Sequence, residues 1–197
     1  MAALRYVALG DSYTIGTGVQ EGERWPNQLA ARLARLRLVG NLAVDGFTTR
    51  DVIEVELPQL DALRPEFVSL LVGVNDVVQG VPEPNFRANV EAILEDLVRR
   101  VGPSNVVLVT IPDYTVTPAG ADYGDPALRS AAIRRFNAVL EQIGRERAIA
   151  VLDIHDISLE ARGDASLVAA DGLHPSGSLY ARWVDEIAGR VEDLLAP

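Results

Sequence analysis

Short apolar runs alternate along this chain with longer stretches whose apolar residues recur every three or four positions. The runs at 6–9, 39–43, 67–72, 106–111 and 149–152 are compact and rich in Val, Leu and Ile, as strands buried on both faces are. Between them the helical period dominates. Phe86, Val90, Ile93, Leu97 and Val101 lie on one face of a helix closed by Gly102 and Pro103. Leu128, Ala132, Phe136, Val139 and Ile143 form a second face, opened by Asp125 as N-cap with Pro126 at the first helical position. Leu179, Trp183, Ile187 and Val191 mark a closing helix. Leu29, Leu33 and Leu36 mark a first one, with Arg32 and Arg35 on its wet side.

Alternating strands and helices imply a parallel sheet covered on both faces. The pattern therefore predicts an α/β fold, a three-layer α/β/α sandwich on a five-stranded parallel sheet. Five strands fit the flavodoxin-like order 2-1-3-4-5. No repeat, low-complexity tract or Pro/Gly/Ser linker divides the 197 residues, so 1–197 reads as one domain. In open parallel sheets ligands sit beyond the carboxyl ends of the strands, and chemistry is to be sought in the segments that follow them.

Four polar clusters occupy those segments. Gly10-Asp11-Ser12 follows the first strand and runs on through Thr14, Gly16 and Gly18. Residues 41–46, from Asn41 to Gly46, follow the second. Gly73-Val74-Asn75-Asp76 follows the third, and Asp171-Gly172-Leu173-His174-Pro175 lies beyond the fifth. The predicted topology brings all four to one edge of the sheet.

Composition narrows what that edge can do. All 18 basic residues are Arg, set against 28 Asp and Glu for a net charge of −10; Lys and Cys are absent, and His occurs only as His155 and His174. Without Cys there is no thiolate nucleophile, disulfide or thiolate-bound metal. Without Lys there is no Schiff base and no Walker-type phosphate loop. The acidic balance argues against nucleic acid and anionic membrane surfaces as partners. No apolar run approaches the ~20 residues of a membrane span. The start of the chain lacks the apolar core and cleavage site of a signal peptide, so a cytoplasmic location is expected.

What remains is acid–base chemistry by His and carboxylates. A neutral imidazole can take a proton from a hydroxyl when its other nitrogen is held by an acceptor. Asp171, three residues before His174 across a turn permitted by Gly172, is placed to be that acceptor. Ser12, at a strand-to-loop turn, is the hydroxyl to activate. The backbone N–H of Ser12, the backbone N–H of Gly46 and the side-chain amide of Asn75 are the candidate donors for an oxyanion. Each cluster alone also reads as an ordinary polar turn; their convergence on one edge is what argues for a site.

In these four blocks the chain resembles the SGNH-hydrolase superfamily, the GDSL-type esterases and lipases. Gly10-Asp11-Ser12 matches the block of the nucleophile and Gly46 the oxyanion-hole glycine. Asn75 in Gly73-Val74-Asn75-Asp76 matches the oxyanion-hole amide, and Asp171 with His174 the remaining triad members. The blocks occur in family order over residues 10–175. The resemblance implies a serine hydrolase without cofactor or metal, acting on carboxylic esters or related acyl compounds through an acyl-enzyme. Short-acyl ester hydrolysis is the expected default, with acetylated sugars, thioesters and lysophospholipids left open. Position 14 is Thr, so the Gly-x-Ser-x-Gly elbow of the larger α/β-hydrolases is missing around Ser12.

Other readings leave specific traces to check. The hydroxyl-rich loop from Ser12 to Gly18 could cradle the phosphate of a flavin in an FMN-binding electron carrier. Asp153-Ile154-His155-Asp156 has metal-ligand side chains, although it reads better as a strand end. The irregular segment 112–124 leaves the same edge and carries Tyr114, Val116 and Tyr123. Tyr114 and Tyr123, with Asp11, are expected beside the substrate. Trp183 is expected in the core, and the Arg pairs on the predicted helices in solvent.

Overall fold

The computed structural model describes residues 2–196. Its centre is one parallel sheet of β1 (Leu4–Gly10), β2 (Leu36–Asn41), β3 (Phe67–Leu71), β4 (Val106–Val109) and β5 (Ala150–Leu152), in the order β2-β1-β3-β4-β5. The α-helices are, in chain order, α1 (Ser12–Ile15), α2 (Trp25–Arg32), α3 (Thr49–Asp51), α4 (Leu60–Leu63) and α5 (Val74–Gln79). They continue with α6 (Glu83–Val101), α7 (Pro126–Arg147), α8 (His155–Ser158) and α9 (Gly177–Leu194). α2 packs on α9 and α6 on α7, giving the outer layers of the sandwich.

The central strands are apolar on both faces because both are covered. Tyr6, Val7, Ala8 and Leu9 of β1 and Phe67 and Val68 of β3 have no exposed surface. Parallel register sets Val7 beside Val68 and Leu9 beside Leu70. Phe86 and Phe136 stack with ring centres 4.1 Å apart, joining α6 to α7. Trp183 is core, 1% exposed and edge-on to Tyr180. Asp125 caps α7 by accepting from the N–H groups of Ala127 and Leu128, with Pro126 in the first turn.

Element ends differ from the pattern by a few residues, most at β2, expected over 39–43 and found at Leu36–Asn41. The helix carrying Leu29 is α2 and ends at Arg32, and Leu36 opens β2 opposite Leu4 instead of continuing the helical stripe. Leu29, Leu33 and Leu36 fit a helical period, but buried Leu36, exposed Arg37 and half-buried Leu38 follow the two-residue period of a strand. The strand pairing decides between them. Leu128 is 70% exposed, because the buried stripe of α7 starts a turn later, at Ile133.

Candidate active site

β1 turns directly into α1 at the carboxyl edge of the sheet. Gly10 has φ +148°, and a Cβ there would lie 2.0 Å from the Leu71 carbonyl oxygen, so a side chain would push β1 away from β3. Asp11 caps α1, accepting the Tyr13 N–H at 3.0 Å. Ser12 is the first residue of α1 and is 7% exposed. The expectation that Asp11 borders the substrate needs correcting. Its carboxylate folds back over the helix end, fully buried and absent from the pocket lining. Burial pushes its pKa up to about 7; the Tyr13 and Gly73 N–H groups oppose that rise, and the charges of Asp76 and Asp45 add to it.

Asp171 and His174 meet within one loop. Asp171 Oδ2 lies 2.6 Å from His174 Nδ1, while Oδ1 accepts the N–H groups of Leu173 at 2.9 Å and His174 at 3.0 Å. Gly172, with φ +75°, lets the chain turn back on itself. Partial burial would raise the Asp171 pKa, but the hydrogen bonds from Leu173 N–H, the imidazole and His174 N–H outweigh it and hold the group below its ordinary value. The Tyr13 ring backs the imidazole, with centroids 5.1 Å apart and planes tilted by 52°.

Asn75 lies in the first turn of α5, and its Nδ2 donates to the Phe47 carbonyl at 2.9 Å. An amide nitrogen has two hydrogens, so one donor remains for the pocket that Asn75 lines. Asp76 takes a different partner. It is buried and accepts from the Thr49 N–H at 2.9 Å and hydroxyl at 2.6 Å, pinning the segment after Gly46 to α5. Gly46 has φ +80° and open space where a Cβ would stand.

Ser12, Gly46, Asn75 and His174 open into one pocket of 270 Å³. Val74 and Val78 of α5 supply one part of the apolar lining, Tyr114 and Tyr123 another. Tyr114 is buried and Tyr123 half open at the rim, their rings edge to face at 6.1 Å. Among the hydrogen bonds of the described residues none joins Ser12 Oγ to the imidazole, whose Nδ1 partner is Asp171. The sequence reading missed Tyr13, Val74, Val78 and Leu173 in this lining. The i,i+4 spacing of Val74 and Val78 was the available signal, since it marks a helix where a loop was assumed.

The competing motifs resolve into structure. Thr17 Oγ1 of the proposed phosphate loop donates to Asp45, and a Cβ at Gly18 would lie 3.5 Å from an Asp171 oxygen. Carboxylates thus stand where a phosphate would need donors. Asp153 accepts from the Thr110 hydroxyl at 2.8 Å and the His155 N–H at 2.9 Å, fastening the start of α8. Among the described residues no three His, Cys, Asp or Glu side chains are grouped to hold a metal. Among the same residues no helix is long and apolar enough to cross a membrane.

Residues 8–182 match the sequence profile of the GDSL-like lipase/acylhydrolase family. The chain belongs to that family. Membership makes it a carboxylic ester hydrolase. Comparison with curated proteins finds no match. Among solved structures, a lipolytic G-D-S-L protein from Veillonella parvula is 20% identical with a TM-score of 0.77, covering 95% of this chain and 97% of its own. The acetylxylan esterase Axe2 of Geobacillus stearothermophilus is 19% identical with a TM-score of 0.73, over 100% of this chain and 96% of its own. A psychrotrophic esterase from Pseudoalteromonas, solved inhibited by monoethylphosphonate, is 22% identical with a TM-score of 0.70, over 97% and 98%. At these identities the likeness speaks for the GDSL hydrolase fold.

Proposed function

We propose that this GDSL-family hydrolase cleaves small, short-acyl carboxylic esters through an acyl-enzyme, with Ser12 as nucleophile, His174 as general base and Asp171 orienting the imidazole. The observation that carries the reading is the 2.6 Å contact of Asp171 with His174 Nδ1 at a pocket that Ser12 also lines. A carboxylate at Nδ1 keeps the proton there and leaves Nε2 free to accept one from Ser12. The alkoxide attacks the ester carbonyl, and the negative charge moves to the carbonyl oxygen. The Ser12 N–H, the Gly46 N–H and the Asn75 amide then receive that oxyanion. His174 returns the proton to the departing alcohol, and the same base activates the water that releases the acid.

The modest volume and apolar walls support a small neutral substrate. Asp45 is the acidic residue in the lining and no Arg stands there, so an anionic leaving group gains no partner at the mouth. The named neighbours include an esterase of acetylated xylan and one inhibited by a phosphonate, in keeping with acetyl-sized esters and an activated serine.

The test is labelling with a fluorophosphonate and mapping of the modified residue. The adduct is expected on Ser12, with Ser12→Ala unlabelled and its turnover on an acetyl aryl ester reduced on the order of a million-fold. An adduct elsewhere, or retention of most activity in the variant, overturns the assignment.

A further inference from the structure

The walls of the pocket belong to separate parts of the chain. Val74, Asn75 and Val78 are on α5, and Tyr114 and Tyr123 on the segment between β4 and α7. One half-buried side chain joins them. Arg129, in the first turns of α7, donates from Nη1 to the Val77 carbonyl of α5 and from Nε to the Tyr123 carbonyl at 3.2 Å. Neither bond is to a carboxylate. A guanidinium is suited to the task because its planar fork holds two acceptors at fixed separation.

The neighbouring residue is adapted to the same contact. Gly124 has φ +120°, and a Cβ there would lie 2.7 Å from Arg129 Nε. The segment is also tied at its middle, where Ala119 N–H donates to the Gly172 carbonyl at 2.9 Å in the loop of Asp171 and His174. The Arg129 tie is made at Tyr123 itself, four residues beyond the Ala119 tie; its ring is half exposed, with Tyr114 as its packing partner. Without the guanidinium, the Tyr123 wall would face α5 with no polar link to Val77.

We infer that Arg129 is a specificity-determining residue: by bridging α5 to the Tyr123 turn it sets the width of the pocket and so limits the acyl group accepted. It touches neither Ser12 nor His174 and is a positioning residue. This inference rests on the ester-hydrolase reading of the same pocket.

The experiment measures kcat and KM for wild type, Arg129→Ala and Arg129→Lys on aryl esters from acetate to octanoate. In Arg129→Ala the hexanoate-to-acetate ratio of kcat/KM should rise about tenfold through a lower KM for the longer ester, as one or two methylene groups newly accommodated would give. Its kcat on acetate should stay within about twofold of wild type, because the groups that meet the carbonyl are untouched. Arg129→Lys, a point donor without the fork, should fall between the two. If Arg129→Ala does not fold, Arg129→Gln loses one of the two bonds and is read by the same ratio. An acyl-length profile that overlays wild type in the folded variants overturns the inference. Failure of the fluorophosphonate to label wild-type Ser12 would overturn the hydrolase reading instead, so the two failures are separable.

Discussion

The chain's two histidines stand in chemically similar company, and the contrast between them is instructive. Both side chains are nearly covered, at 12% for His174 and 13% for His155, and each has an Asp at Nδ1. Asp171 is 36% exposed and held by two backbone N–H groups, whereas Asp156 is 92% exposed and 3.2 Å from its histidine. Serines lie near both. Ser158 donates its hydroxyl to the His155 carbonyl and Ser130 gives its own to Asp113, so both are spent on structure. Ser12 instead faces a cavity. The distinction between a reactive constellation and a packed one thus lies in where the hydrogen bonds end. Among the described residues His155 Nε2 is also without a hydrogen-bond partner, 4.0 Å from Asp113, so a free second nitrogen is not enough. A proposed base needs its acid fixed and a free hydroxyl at a shared cavity.

That contrast breaks most sharply at the acids. Asp171→Asn should reduce turnover about 10⁴-fold, because an amide can hold the imidazole in the wrong tautomer. Asp156→Asn should stay within about twofold, since an exposed pair contributes little. Steady-state kinetics on one acetyl ester checks both, and equal losses would dissolve the distinction. Asn75→Ala should lower kcat about 10²–10³-fold, as loss of one oxyanion donor does. A twofold change would leave Asn75 with no part beyond its bond to Phe47.

The smallest effect concerns stability rather than rate. Glu56 is fully buried beneath the nucleophile corner, where one oxygen accepts the Gly10 N–H at 3.0 Å. Burial pushes its pKa from the ordinary 4.5 up to about 9; the Gly10 bond opposes the rise, and Asp11 and Asp51 add to it. The folded state therefore holds this proton more tightly than the unfolded chain. The resulting stability is fully present below the unfolded pKa and is lost as pH rises toward the folded one. Glu56→Gln keeps an acceptor for Gly10 and cannot ionise. Its melting temperature should exceed that of wild type by a margin that widens from pH 5 to pH 9, and a constant margin would contradict the buried-proton account.

Much of this was readable from the chain. Gly10-Asp11-Ser12, Gly46, Asn75 and the pair Asp171 and His174 were located because a parallel sheet gathers the segments after its strands, whatever their separation in sequence. Asp125-Pro126 and Gly102-Pro103 fixed helix ends because caps are local chemistry. Leu36 was misplaced because three leucines satisfy a helical period as well as a strand start, and pairing with Leu4 decides between them only in three dimensions. Asp11 looked like a pocket residue because sequence adjacency to Ser12 does not reveal the direction of a capping side chain. Arg129 gave no signal at all. Its partners are backbone carbonyls, and any residue type could supply those.

The sheet order also governs when activity can arise. β1 occupies an interior position and delivers Ser12 early in synthesis, yet His174 follows the strand at the far edge and is the last of the four segments to be made. Contacts of such long sequence separation are slow to form, because the loop between them must first be closed. With the proposed roles, a nascent chain would carry Ser12 without its base, and hydrolysis should appear only once the segment of His174 is in place.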